Sequence, residues 1–274
     1  MARCVVLLVD GLRPDAIRPD VAPSLHALAQ DCTHAPHAFT IRPSATVAAM
    51  LTLTTGVGPA THQLVEPGLA TLRKLGSLRP LPKELAARGL PTVAVAGEVA
   101  SVEVPVAKVL ASVAGIGRFV ATAGPARRVA AAALGRLRFV PDGLVFVYVN
   151  DCDRAGHAHG WMSRQYLEAV REIDVAVGIL RGCVADSLFC VLADHGGGGV
   201  APTDHDAPHP VNDRIPLVLA GPRVRRKHVM HQPVSILDVP PTLLWWLGLE
   251  IPADYEGRLL RDAFVASEAV RAVA

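Results

Sequence analysis

Short apolar runs, each about the length of one buried strand, recur along the chain and alternate with longer stretches of helical periodicity. The runs predict strands at residues 5–9, 92–96, 144–149, 188–192 and 217–219. The intervening patterns predict helices at 22–31, 45–55, 81–87, 126–137, 163–180 and 235–247. The helix at 163–180 is the clearest, because Tyr166, Val170, Ile173, Val177 and Leu180 fall on one face. Alternation of this kind argues for an α/β fold, a three-layer α/β/α sandwich around a mostly parallel sheet. Residues 68–125 are the least regular stretch and are expected to form a small cap or insertion on a single domain spanning 1–274.

Composition narrows the class. At 274 residues the chain is long enough for a sizeable core. That core must be built from Val, Leu and Ala, since half the residues are apolar and only 4% aromatic. A formal charge of +2 with no basic block gives no reason to expect a nucleic-acid polymer as partner. The run 4–9 is too short for a signal segment and is interrupted by Asp10, so it reads as the first strand. No stretch suits a transmembrane helix, and no membrane partner is expected. Five cysteines without paired spacing do not form a disulfide framework, which fits a cytoplasmic protein.

The polar residues that end the apolar runs carry the chemistry. One run stops at Asp194-His195 and is followed by four glycines, Gly196 to Gly199, which free the backbone to bend. The first strand stops at Asp10-Gly11, and the strand 144–149 leads into Asp151, Asp153 and His157. The segment before the strand at 217–219 carries His205 and His209. Singly, an Asp after a strand is most often a turn or cap residue. Together, these residues converge on one sheet edge and supply enough oxygen and nitrogen ligands for two ions, Zn²⁺ or Mn²⁺. A metal pair clamps the attacking and leaving oxygens of a phosphoryl transfer. A nucleophile is available in Arg42-Pro43-Ser44-Ala45-Thr46, where Ser44 or Thr46 opens a helix. Capping that helix is the simpler role for either hydroxyl.

These motifs, in this order, resemble the alkaline phosphatase superfamily, nearest its type I phosphodiesterase/nucleotide pyrophosphatase branch. The matching segments are Val9 to Asp15, Arg42 to Thr46 with Thr55-Gly56, Asp153 to His157, Asp194 to Gly196, and Ile215 to Pro222 after His205. The closing segment 235–258 is also similar. The resemblance implies a two-metal, most often zinc, hydrolase of phosphoric esters acting on a small phosphorylated substrate. It implies Thr46 as nucleophile. Asp10, Asp194, His195 and Thr46 would hold one ion, and Asp153, His157 and His205 the other. The implied reaction is ping-pong, through a phospho-threonine that water then hydrolyses. Two features depart from the pattern. Glu66 and Pro67 stand near where such phosphodiesterases carry an Asn that supports a phosphate oxygen. Neither Arg42 nor Arg13 can be assigned as the Arg clamp of a monoesterase. Thr46 to Met50 lacks the sulfatase signature. A phosphomonoesterase, a phosphonate hydrolase and a non-catalytic phospho-ligand binder are the alternatives.

Overall fold

The computed structural model describes residues 2–64, 69–99 and 104–265. In chain order the elements are β1 (Arg3–Val9), α1 (Pro23–Asp31), β2 (Thr33–Phe39), α2 (Thr46–Thr55), α3 (Pro59–His62), α4 (Leu69–Ser77) and α5 (Leu81–Ala86). Next come β3 (Thr92–Gly97), α6 (Val104–Val113), β4 (Arg118–Thr122), α7 (Ala126–Leu137), β5 (Gly143–Val149), α8 (Asp151–His159) and α9 (Arg164–Leu180). The chain closes with β6 (Ser187–Ala193), α10 (Pro210–Asp213), β7 (Arg214–Ala220), β8 (His228–Val229), β9 (Val234–Ser235) and α11 (Val239–Trp246).

The strands form one sheet in the order β4-β3-β5-β1-β6-β7-β2-β8, with β9 also on β2. From β4 to β6 every pairing is parallel, while β7 is antiparallel to both β6 and β2. The central strands β1 and β6 are buried along their whole length, which is why they read as unbroken apolar runs rather than alternating ones. Helices α1, α7, α8 and α9 pack together as one layer, and α2, α5 and α11 as another. The apolar stripe of α9 is fully buried, and Ser163 caps the helix by accepting the Tyr166 N–H. The expected late helix divides into a 3₁₀ turn over Ile236–Asp238 and then α11. The region 68–125 contributes β3 and β4 to one flank of the sheet, with α4, α5 and α6 around them.

Candidate active site

Strand register sets the site. Val9 pairs with Val149 on one side and Ala193 on the other, so Asp10 stands level with Asn150 and Asp194. Gly11 lets α8 approach: its φ is +69°, and a Cβ there would lie 2.9 Å from the Asp153 Cα. The Asp153 N–H donates to the Asp10 carbonyl at 3.1 Å, tying the first turn of α8 to the end of β1. Asp153 and His157, one helical turn apart, face the same side. His205 lies in the connection from β6 to β7. It reaches this edge because β7 runs antiparallel to β6, so the connection starts and ends there. A uniformly parallel sheet would carry the chain preceding β7 toward the opposite edge.

Thr46 is the first residue of α2, and its N-cap is Ala45, with no side-chain cap. Thr46 Oγ1 lies 3.4 and 3.5 Å from the two Asp10 oxygens and 3.3 Å from His195 Nε2. Ser44 is committed elsewhere: its hydroxyl donates to the His205 carbonyl at 2.9 Å, and His205 Nδ1 bonds the Ser44 carbonyl at 2.8 Å. Of the two candidate hydroxyls, only Thr46 faces the acids.

The three imidazoles share one arrangement. Nδ1 of His195 meets the Gly196 carbonyl at 2.7 Å, that of His205 meets Ser44, and that of His157 meets the Thr203 carbonyl at 2.9 Å. A carbonyl only accepts, so each Nδ1 carries a proton and each ring turns its Nε2 toward the acids, the nitrogen that would bind a metal once deprotonated. His195 Nε2 is 3.2 Å from Asp10 Oδ1, and His157 Nε2 is 3.4 Å from Asp153 Oδ1. The His195 and His205 rings stack at 3.8 Å.

Two sets of ligand-type atoms each lie within 4.8 Å of one another: Asp10, Asp194 and His195; and Asp153, His195 and His205. Thr46 adjoins the first. His157 borders the second on its solvent side, its ring 5.0 Å from that of His205. Each set holds one buried carboxylate oxygen without a hydrogen-bond partner, Asp194 Oδ2 and Asp153 Oδ1. The other Asp194 oxygen is satisfied by the N–H groups of Gly11 and His195. Such orphans are rare. Together with the inward Nε2 atoms they make a donor set of oxygen and nitrogen that fits divalent cations.

The electrostatics agree. Burial and the adjoining Asp10 charge raise Asp194 well above the carboxylate range and push Asp153 up to about 6. Burial also works to raise Asp10, but His195, then Tyr148, hold it low. His195 is held up to about 10 against its burial, by Asp194 and Asp10. Burial and the His195 charge depress His205. Three acids crowd a dry edge with too little positive charge nearby.

Tyr148 is a residue that motif reading misses. Its hydroxyl donates to Asp10 Oδ2 from the second-to-last residue of β5. The available signal was a lone hydroxyl within the apolar run before Asp153. Trp161, close after His157 in sequence, both packs and borders the site: it donates to the Gly11 carbonyl at 2.9 Å, packs on Gly156 and Gly197, and sets its edge against His157 and His205. The glycine run serves mainly as space. Only Gly198 has a positive φ, whereas a Cβ on Gly196 would lie 2.0 Å from the Val211 carbonyl and one on Gly197 2.2 Å from the indole. Asp151 accepts from the Ala126 N–H, and His209 Nδ1 accepts from the Val211 N–H; neither joins the two sets. Arg13 is engaged with Asp15 and the Gly197 carbonyl, and Arg42 with Asp213. Glu66 and Pro67 lie outside the described residues.

Comparison with known proteins places this edge in context. A phosphonate monoester hydrolase from Silicibacter pomeroyi superposes with a TM-score of 0.75, at 17% identity over 98% of this chain and 78% of that one. A protein of the alkaline phosphatase superfamily from Vibrio parahaemolyticus gives 0.74, at 18% identity over 94% and 69%. Murine ectonucleotide pyrophosphatase/phosphodiesterase 5, as an inactive form in complex with AMP, gives 0.74, at 13% identity over 97% and 100%. These likenesses establish the fold as that of the alkaline phosphatase superfamily. The family profile described as type I phosphodiesterase/nucleotide pyrophosphatase matches residues 4–70 and 114–234, and the chain belongs to that family. A sequence relative, 2,3-bisphosphoglycerate-independent phosphoglycerate mutase of Antithamnion sp., is 28% identical over 122 residues. That match covers 43% of this chain and about a quarter (23%) of the relative.

Proposed function

We propose that the protein is a metal-dependent phosphoric-ester hydrolase, acting on diesters through a covalent phospho-threonine at Thr46. Asp10, Asp194 and His195, with Thr46, would hold one divalent ion, and Asp153, His157 and His205 a second, with zinc the expected metal. The carrying observation is the shared anchoring of three imidazoles by Nδ1, which sets three Nε2 atoms within 4 Å of two unpartnered carboxylate oxygens. Family membership supports the reaction class. When bound, the ions supply Lewis acidity for the phosphoryl oxygens and lower the pKa of the attacking hydroxyl.

The chain's own groups do the remainder. Asp10 offers acceptor oxygens beside the Thr46 hydroxyl, whose oxygen then bonds to phosphorus as the ester P–O bond breaks. Water later cleaves the Oγ–P bond and restores Thr46. The unpaired N–H groups in the first turn of α2 favour the anionic phosphoryl group held there.

The test uses the purified protein with zinc or manganese. Bis-p-nitrophenyl phosphate should be turned over faster than p-nitrophenyl phosphate. The reverse order would favour the monoesterase reading, and preference for p-nitrophenyl phenylphosphonate the phosphonate hydrolase reading. Thr46→Ala should abolish turnover with two metal equivalents still bound by elemental analysis. Survival of activity in that variant overturns the nucleophile assignment.

A further inference from the structure

Beside α2, whose first residue is Thr46, lies a cavity of about 250 Å³. Its wall on one side is a stripe of α2, Val47, Met50, Leu51 and Thr54, spaced at one and two helical turns. The opposite wall is the sheet, with Thr92, Ala94 and Ala96 from β3 and Leu144, Phe146 and Tyr148 from β5. Those strand residues run from Leu144 to Tyr148, two positions short of the level of Asp10, a length of about 13 Å at ~3.3 Å per residue. Two residues join cavity and site: Val47 follows Thr46, and Tyr148 lines the cavity with its ring while its hydroxyl bonds Asp10.

Small side chains keep this space open. Ala107, Ala111 and Ala114, from α6 and the residue just past it, add to the alanines of β3 along the walls. Among the described residues, none that lines it carries a charge. Thr54 spends its hydroxyl on the Met50 carbonyl, and Tyr148 spends its own on Asp10. Thr71 adds a fourth hydroxyl to the lining, and Thr92 Oγ1 is buried without a partner at the end of the cavity remote from the site. A nucleobase edge placed here would leave its donors and acceptors largely unmatched, a loss that hydrogen-bonding sites use to reject ligands. A flexible hydrocarbon loses nothing of the kind.

We infer that this cavity receives the apolar arm of the ester, so that the substrate is a phosphoric ester carrying an unbranched alkyl or acyl chain. The volume accommodates about eight methylene-sized groups at ~30 Å³ each. The inference rests on the hydrolase reading, and the chemistry at Thr46 is what places the phosphate next to the Val47 and Tyr148 end of the cavity.

A series of p-nitrophenyl alkyl phosphodiesters, methyl to dodecyl and each below its micellar concentration, tests it. kcat/KM should rise by up to about fourfold per methylene, by about 100-fold or more from methyl to octyl, and level off beyond. Ala94→Leu and Ala111→Leu, which intrude on the cavity, should flatten that rise, lowering the ratio of octyl to methyl kcat/KM toward one. If either variant fails to fold, the series on the unmodified protein decides. Equal rates for methyl and octyl esters overturn the cavity assignment and leave the hydrolase reading standing. Calorimetry with octyl and methyl phosphate separates the converse. Tight octyl binding without turnover of any ester refutes the hydrolase reading and keeps the chain site. Equal affinities refute the site.

Discussion

Gly197→Ala is the sharpest test of how the second ligand set is held in place. A Cβ at this position would sit 2.2 Å from Trp161 Cε2, 2.4 Å from Cδ2 and 2.6 Å from Cζ2. The indole would have to move by more than about 1 Å to restore a normal carbon–carbon contact. It has little room. Its Nε1 is bonded to the Gly11 carbonyl, its backbone N–H to the Pro202 carbonyl at 2.8 Å, and its other side abuts Gly156. Displacement therefore passes to the rings it touches, His157 at 5.1 Å and His205 at 5.8 Å between centroids. Overpacking of this kind costs about 1–3 kcal/mol, a fall in Tm of roughly 2–12 °C for a chain of this size. Misplacing catalytic groups by about 1 Å costs on the order of 100-fold in rate. The assay is thermal melting together with kcat on bis-p-nitrophenyl phosphate. Gly182→Ala, where an added Cβ meets nothing within 4 Å, is the control, expected within about 0.5 kcal/mol of the parent. Trp161→Ala should relieve the clash, so that Gly197→Ala adds no further destabilisation in that background. Parental Tm and kcat in Gly197→Ala would refute the spatial argument and return the glycines to a role in chain flexibility.

Three further outcomes follow from other contacts. Asp174→Ala should lower stability by about 1–3 kcal/mol with kcat unchanged, because the Asp174 carboxylate accepts the Ser24 and Leu25 N–H groups and caps α1 from α9; urea titration measures it. Tyr148→Phe should cost about 10–100-fold in metal affinity or activity by leaving Asp10 Oδ2 without its donor, with excess zinc restoring part of the rate. In chelated protein, His195 is held up to about 10 from an ordinary 6.5, so its contribution is full below about pH 6.5 and lost as pH climbs toward 10. Asp153, raised to about 6, adds a loss between about pH 4 and 6. Tm should then fall with rising pH under chelation and hold or rise with zinc, whose ligands must be deprotonated; a Tm under chelation that rises between pH 6.5 and 9 would contradict the assignment.

What the sequence made legible was whatever a local pattern dictates. Buried strands such as β1 and β6 read directly because both faces are apolar, and the residues at their ends could be named as a set. β2 was not legible. Its Thr-His-Ala-Pro-His-Ala-Phe has no apolar run, and its pairing with β7 shifts register around Pro36, where a backbone donor is missing. β4 is a half-exposed edge strand with equally little pattern. α8 is absent from the helices that periodicity predicts because so little of it is buried; its apolar contribution is Cys152, with Gly156 against Trp161. Long-range features were beyond local pattern altogether. The capping of α1 by Asp174 crosses 150 positions in the chain. The choice between Ser44 and Thr46 depends on where the His205 carbonyl lies. The antiparallel course of β7, which decides where His205 arrives, depends on strand pairing rather than on any residue in the connection.

The central position of β1 has a consequence for how the chain is made. Its neighbours are β5 and β6, and the Arg3–Ser187 contact spans 184 residues. At ~5–20 residues per second on the ribosome, β1 waits on the order of 10–40 s for its second partner. During that interval an apolar strand is exposed with both edges open until β5 is made and one edge open until β6 follows, the situation that invites pairing with the wrong chain. The site edge cannot exist before β6 arrives, because Asp10 gains Asp194 and His195 only then. Nascent-chain truncations ending before residue 187 should therefore be chaperone-dependent and prone to aggregation, with soluble yield recovering once the chain extends through β7.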